Sequence, residues 1–274
     1  MNKLLAAPVA VVLAVSLAGC TVMDIVGPRP NREIMALSRQ AAADGALDGA
    51  YGELRRFHSQ QLIDEALRLC GTQPDGTVPS SCDVDAAELA GAELPTAESV
   101  DNLVTATIAA AGRVPAESVD VVVAQAIDAV AVEEVDLESV GLTEVADEAA
   151  VLRARELLLA EDQLRYGLTF ALAYADDGLR GRIYDLLEAS RERVVALKAL
   201  LPESSAQSPE QIDTPAAYTF REPDTEPAST EEAAQLVSDL QRGLVDQWRL
   251  AAAQADNDAW RRDAIYFAAH AQRV

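Results

Sequence analysis

Acid–base, metal and nucleophilic chemistry draw on few side-chain types, and this chain holds few of them. Histidine occurs twice, as His58 and His270. His58 falls on or beside a helical stripe of Tyr51, Leu54, Leu62 and Leu69. A packed, hydrogen-bonded core histidine is preferred there over a ligand. His270 lies within the last turn or so of a final helix, too near a fraying end to be a dependable ligand. No GxSxG, HExxH, GxxxxGK[ST] or GxGxxG motif occurs. The sequence therefore assigns no catalytic residue and no cofactor.

Glu161 is the one carboxylate that stands out. It falls between Leu157 and Leu164 on an apolar helical stripe, where an ionised group is costly unless paired. Three readings stay open: a helix-rim side chain reaching solvent, a buried partner of an arginine such as Arg191, or a metal ligand. A di-metal centre in a four-helix bundle takes Glu from two helices and Glu-x-x-His from the other two. Here Arg191 follows Glu188 by three residues and Tyr266 follows Asp263 by three, so both histidine positions are filled by other groups. The sequence predicts no metal site. It offers Glu161 and Arg191 as a possible buried ion pair.

The cysteines are more informative. Lys3 precedes an apolar run over residues 4–18, too short to span a bilayer comfortably. Leu17-Ala18-Gly19-Cys20 then matches the lipobox of bacterial lipoproteins. The expectation is a signal peptide over 1–19, cleavage before Cys20, lipidation of its thiol and a short tether over 20–31. The alternative is an ordinary secretory signal with a chance cysteine. No later run of 18 or more apolar residues follows, so the chain reads as anchored rather than spanning. Its expected place is the extracytoplasmic face of a cell membrane or envelope. Outside the cytoplasm Cys70 and Cys82 are expected to pair. Closing that loop constrains the unfolded chain by about 3 kcal/mol.

The formal charge of −23 argues against nucleic acid and against an anionic membrane surface as partners. Half of the residues are hydrophobic but only 4% are aromatic, so the core must be Ala, Val and Leu, which suits close-packed helices. Helical periodicity predicts helices over roughly 32–44, 47–70, 96–111 and 115–132, with one short helical possibility at 85–90. An acidic linker over 131–141 precedes a long helical pair at 144–201, broken at Asp176-Asp177-Gly178. A proline-rich stretch carries Tyr218-Thr219-Phe220, read as a crossover pinning its aromatics on the bundle. Ser229 or Thr230 then caps a third long helix, and Trp260 and Phe267 face inward from the last.

The predicted class is all-α, with a helical domain over 32–140 and a larger one over 141–274. Sliding the chain on itself by 132 residues pairs Leu47 with Leu179, Leu54 with Leu186 and Leu69 with Leu201. Any in-phase amphipathic helices match this way, so a duplication of the first half in the second stays open.

The second domain has the order helix, turn, helix, long crossover, helix, turn, helix. With LLLAEDQLRYG at 157–167, Arg191 and Arg193, the YTF element at 218–220, and Trp248-Arg249, it resembles an uncharacterised actinobacterial ferritin-like family. The resemblance implies a four-helix bundle with one long crossover. Where that family carries a His after the Glu of its first helix, this chain has Asp162. The expected function is a non-catalytic envelope lipoprotein, a helical binding or scaffolding module with an envelope protein as partner. The alternatives are a metal-handling or redox protein with an atypical carboxylate site, and a carrier for a small apolar ligand.

Overall fold

A computed structural model describes residues 27–84, 99–202 and 227–274. Within them the chain is all-helical. The first half contributes α1 (Arg32–Asp44), α2 (Ala50–Cys70), α3 (Ser99–Ala111) and α4 (Ala116–Val130). The second contributes α5 (Glu148–Ala171), α6 (Asp177–Leu200), α7 (Thr230–Ala253) and α8 (Asp258–Arg273). No described helix is long and apolar enough to cross a membrane. Cys20, Tyr218, Phe220, the short element expected at 85–90 and the Thr96 cap all lie outside the described residues.

Short polar side chains fix where most helices begin. Asn31, Asp147, Asp176, Ser229 and Asn257 each accept a hydrogen bond from a backbone N–H in the following first turn. This satisfies donors that have no partner within the helix. Of the two caps expected for α7 it is Ser229 that accepts, from Glu232 N at 3.2 Å. Helix α2 starts at Ala50 rather than at the expected Leu47. Gly49 has φ 90°, which a helix cannot include. The chain from 45 to 49 folds back so closely that a Cβ on Gly52 would lie 1.8 Å from the Leu47 carbonyl oxygen.

Each half closes into a ring of helices in which neighbours run antiparallel. In the second half α5 packs on α6 and α7, and α8 packs on α7 and α6. Thr230 Oγ1 donates to the Tyr174 carbonyl at 2.8 Å, and Arg153 bonds to Gln254 at 3.0 Å. The start of α7 thus sits beside the end of α5, and its end beside the α5 start. In the first half α1 packs on α2 and α3, and α4 on α2 and α3. Ser38 and Ser59 exchange hydrogen bonds between α1 and α2, and Gln125 of α4 donates to the His58 carbonyl of α2. Both halves therefore share one helix order and one set of neighbours.

The halves meet where α4 packs against α7 and α8, and α3 against α8. A single apolar core runs through both, from Ile34 and Leu62 through Val123 and Ile127 to Leu164, Trp248 and Phe267. Between the halves, residues 131–147 form a strap laid along α8. Arg262 and Arg273 hold its carbonyls, at Val140 and Gly141 and at Ala131 and Val132. At its far end Val145 N donates to the Leu200 carbonyl at 2.8 Å.

Cys70 and Cys82 are joined, with sulfurs 2.10 Å apart and Cα atoms 6.4 Å apart. The bridge ties the end of α2 to a 3-10 turn at Ser80–Cys82. The incoming chain lies against this corner. Cys82 Sγ is 3.3 Å from the Pro28 carbonyl oxygen, and Gly27 abuts Ser81 so tightly that a Cβ there would reach 2.5 Å from its hydroxyl.

Candidate functional site

The densest buried polar cluster centres on Glu161 of α5, which is fully buried. Its partner is Arg193, not Arg191. Arg193 donates from Nε to Oε1 at 2.6 Å and from Nη2 to Oε2 at 3.1 Å. Trp248 Nε1 of α7 adds a third donor to Oε1 at 3.0 Å, and Ser190 Oγ of α6 a fourth to Oε2 at 2.7 Å. Four donors match the lone pairs a carboxylate offers. The Trp248 ring is itself fixed by stacking on Phe267 of α8, with centroids 4.7 Å apart.

The choice between the two arginines is a matter of helix phase. The buried stripe of α6 runs through Ile183, Leu186, Ser190, Arg193, Leu197 and Leu200. Arg191 is two residues back, about 200° around the helix. It faces solvent and pairs with Glu188 at 3.0 Å.

His270 extends the cluster outward. Arg193 Nη1 lies 3.2 Å from His270 Nδ1, and His270 Nε2 lies 3.1 Å from Glu192 Oε2. A guanidinium only donates, so Nδ1 must accept and the proton sits on Nε2, aimed at Glu192. Burial, with the Arg193 charge second, pushes the His270 pKa below the ordinary histidine range, while Glu192 opposes the shift. The ring is buried rather than frayed, because α8 packs against α6 there. Its one lone pair is spent on Arg193, which leaves it neither a free base nor a free ligand.

His58 is buried as expected and repeats this chemistry in the first half. Asp44 accepts from Arg55 Nε at 2.9 Å, and Arg55 Nη1 lies 3.1 Å from His58 Nδ1. His58 Nε2 points towards Asp128, 3.8 Å away. Burial, then the Arg55 charge, lowers its pKa to about 4. Burial raises the Asp44 pKa in spite of Arg55. Asp128 also accepts from Arg249 of α7 and from Gln272 of α8 at 2.9 Å, so this second network crosses between the halves. Apolar periodicity does not point to the Asp44–Arg55 pair. Its signal was the position of Arg55 one residue from the expected Leu54 stripe.

A di-metal centre of the kind the ferritin-like resemblance implies does not fit these residues. The carboxylate it would use is Glu161, whose oxygens already accept from Arg193, Ser190 and Trp248. A guanidinium 2.6 Å away repels a dication. Among the described residues no group of three or more His, Cys, Asp or Glu side chains is placed to hold a metal ion.

Beside this cluster lies a groove of about 990 Å³ between the outer face of α6, the strap and the end of α8. The edge of His270 and Glu192 lie in its wall, with Val195, Ala196, Ala199 and Leu142 beside them. Arg191 also lines a second groove, of about 840 Å³, between α5 and α6. No family model, curated protein or solved structure matches this chain.

Proposed function

We propose that the chain is a membrane-anchored, non-catalytic envelope lipoprotein whose helices serve as a binding or scaffolding module. The observation that carries this reading is the closed hydrogen-bond accounting at the centre. Glu161, Arg193, Ser190, Trp248 and His270 satisfy one another, which is what a structural core does with its polar groups. The lipobox at Cys20 supports anchoring, and the acidic surface disfavours nucleic acid. Antiparallel neighbours, and a crossover joining α6 to the diagonally placed α7, support a ferritin-like bundle for the second half.

Two measurements test the proposal. With its own leader in a bacterial host, the protein should take up an alkyne fatty acid, and Cys20→Ser should abolish the label. Labelled Cys20→Ser protein would rule out the anchor. The purified mature chain should carry no stoichiometric transition metal, and excess iron, manganese or zinc should leave its melting temperature unmoved, since a ligand of the folded state must raise it. One equivalent of bound metal, lost on Glu161→Ala, would overturn the structural reading of the cluster.

A further inference from the structure

The groove beside α6 has two banks of like charge and an apolar bed. The strap supplies Glu134, Asp136 and Glu138, and α6 supplies Asp185, Glu188 and Glu192. Among the described residues two guanidiniums line it, and both are engaged: Arg191 pairs with Glu188, and Arg273 donates to the Ala131 and Val132 carbonyls. The bed is apolar and mostly small. Leu142 and Val274 also line it, and Val195, 64% exposed, is the most exposed large apolar side chain among the described residues. Val195 shares one face of α6 with Glu192 and Ala199, three residues before it and four after, so this face sets apolar surface among carboxylates.

We propose that this groove receives an amphipathic helix of a partner protein, with an apolar stripe flanked on both sides by Lys or Arg. This rests on the reading of the chain as a binding module and names the surface and the partner's chemistry. The shape favours a helix. The α6 residues that line the groove run from Asp185 to Leu200, about 22 Å along the axis at 1.5 Å per residue, which seats about four turns. Ala196 and Ala199 let a partner backbone approach closely. Among the described residues the walls are helix and strap, without a strand edge to extend, so helix-in-groove is the mode they offer. Charge then selects the occupant: carboxylates on both banks attract a helix basic on both flanks and repel an acidic one. The bed is held from behind by the buried pairing of Arg193 on α6 with Glu161 on α5.

The test uses the whole mature chain and an 18-residue Leu/Lys amphipathic peptide, with a Leu/Glu peptide and spermine as comparators. The Leu/Lys peptide should bind one to one. Val195→Asp should weaken binding at least tenfold, as should the pair Glu134→Lys and Glu138→Lys. The pair Asp48→Lys and Glu53→Lys makes the same charge change on a distant exposed surface and should leave affinity unchanged. Absent binding, equal loss from both charge pairs, equal binding of spermine, or indifference to Val195→Asp would each overturn the proposal.

A photo-crosslinker at Val195 in the native envelope should give an adduct mapping to a basic amphipathic segment of another protein. An adduct to residues 203–226 of this chain, to a second copy or to lipid overturns the proposal. Adducts from crosslinkers at Phe57 or Leu152 but not at 195 would remove the groove and leave the module reading standing. Silence at all three positions would remove both.

Discussion

A buried charge is tolerable only with its partner, and Glu161 makes the point measurable. Removing Arg193 strands a carboxylate that is fully buried. Arg193→Met should therefore cost about 3–5 kcal/mol in urea unfolding, while Arg191→Ala, at an exposed pair, should stay within about 0.5 kcal/mol. Adding Glu161→Gln to Arg193→Met should recover part of the loss, because the stranded group is then neutral. The histidines set a pH response. His58 has a folded pKa of about 4, against an ordinary value of about 6.5. Between these values the unfolded chain binds the extra proton. The contribution is therefore present in full above pH ~6.5 and is lost as pH falls towards 4. His270 shifts in the same direction. Thermal melts should show falling stability across that window, with a shallower slope for His58→Asn. An unchanged slope would remove His58 from the account.

Helices were the legible part of the chain, and the reason is local. Apolar stripes at helical spacing and Asn, Asp or Ser caps act within a turn or two, so all eight described α-helices lie where periodicity put them, within a few residues. What a sequence carries poorly is helix phase. On α6 the expected stripe of Ile183, Leu187, Val194, Leu197 and Leu201 has Ile183, Leu197 and Leu201 in the core, but Leu186 and Arg193 are buried where Leu187 and Val194 are expected. Apolar periodicity does not choose between Arg191 and Arg193, because an arginine is not counted among apolar positions; burial on the α6 core face selects Arg193. The strap was read as an acidic linker, because its anchoring comes from Arg262 and Arg273, more than a hundred residues away. Glycines give a matched pair of tests within elements. Gly52→Ala drives a methyl into the Leu47 carbonyl and should destabilise by at least 1–3 kcal/mol. Gly181→Ala in α6 meets nothing within 4 Å and should stabilise by roughly 0.4–1 kcal/mol. Urea midpoints for the two variants moving the same way would contradict this geometry.

At the level of the molecule, α4 is the shared element, packed on α7 and α8 as well as on its own half. Its Asp128 accepts from both Arg249 and Gln272, so neither half can open without uncovering apolar surface of the other. Calorimetry of the mature chain should give one transition with equal calorimetric and van't Hoff enthalpies. A fragment of residues 141–274 should melt lower than the whole chain, because the α7 and α8 faces that meet α4 lose their cover. Two resolved transitions would show the halves to be independent. The corner at Cys70–Cys82 has a mechanical consequence. The N-terminal segment enters beside Ser81 and Cys82, and Cys82 is covalently fixed to the end of α2. If the protein is held by that segment, tension enters beside a cross-linked corner at the end of α2. The bridge lies outside the backbone path from residue 27 into α1, so a pull along that path is resisted by the packing of Gly27 and Pro28 on the corner and of α1 on its neighbours, while the bridge keeps the corner itself in place.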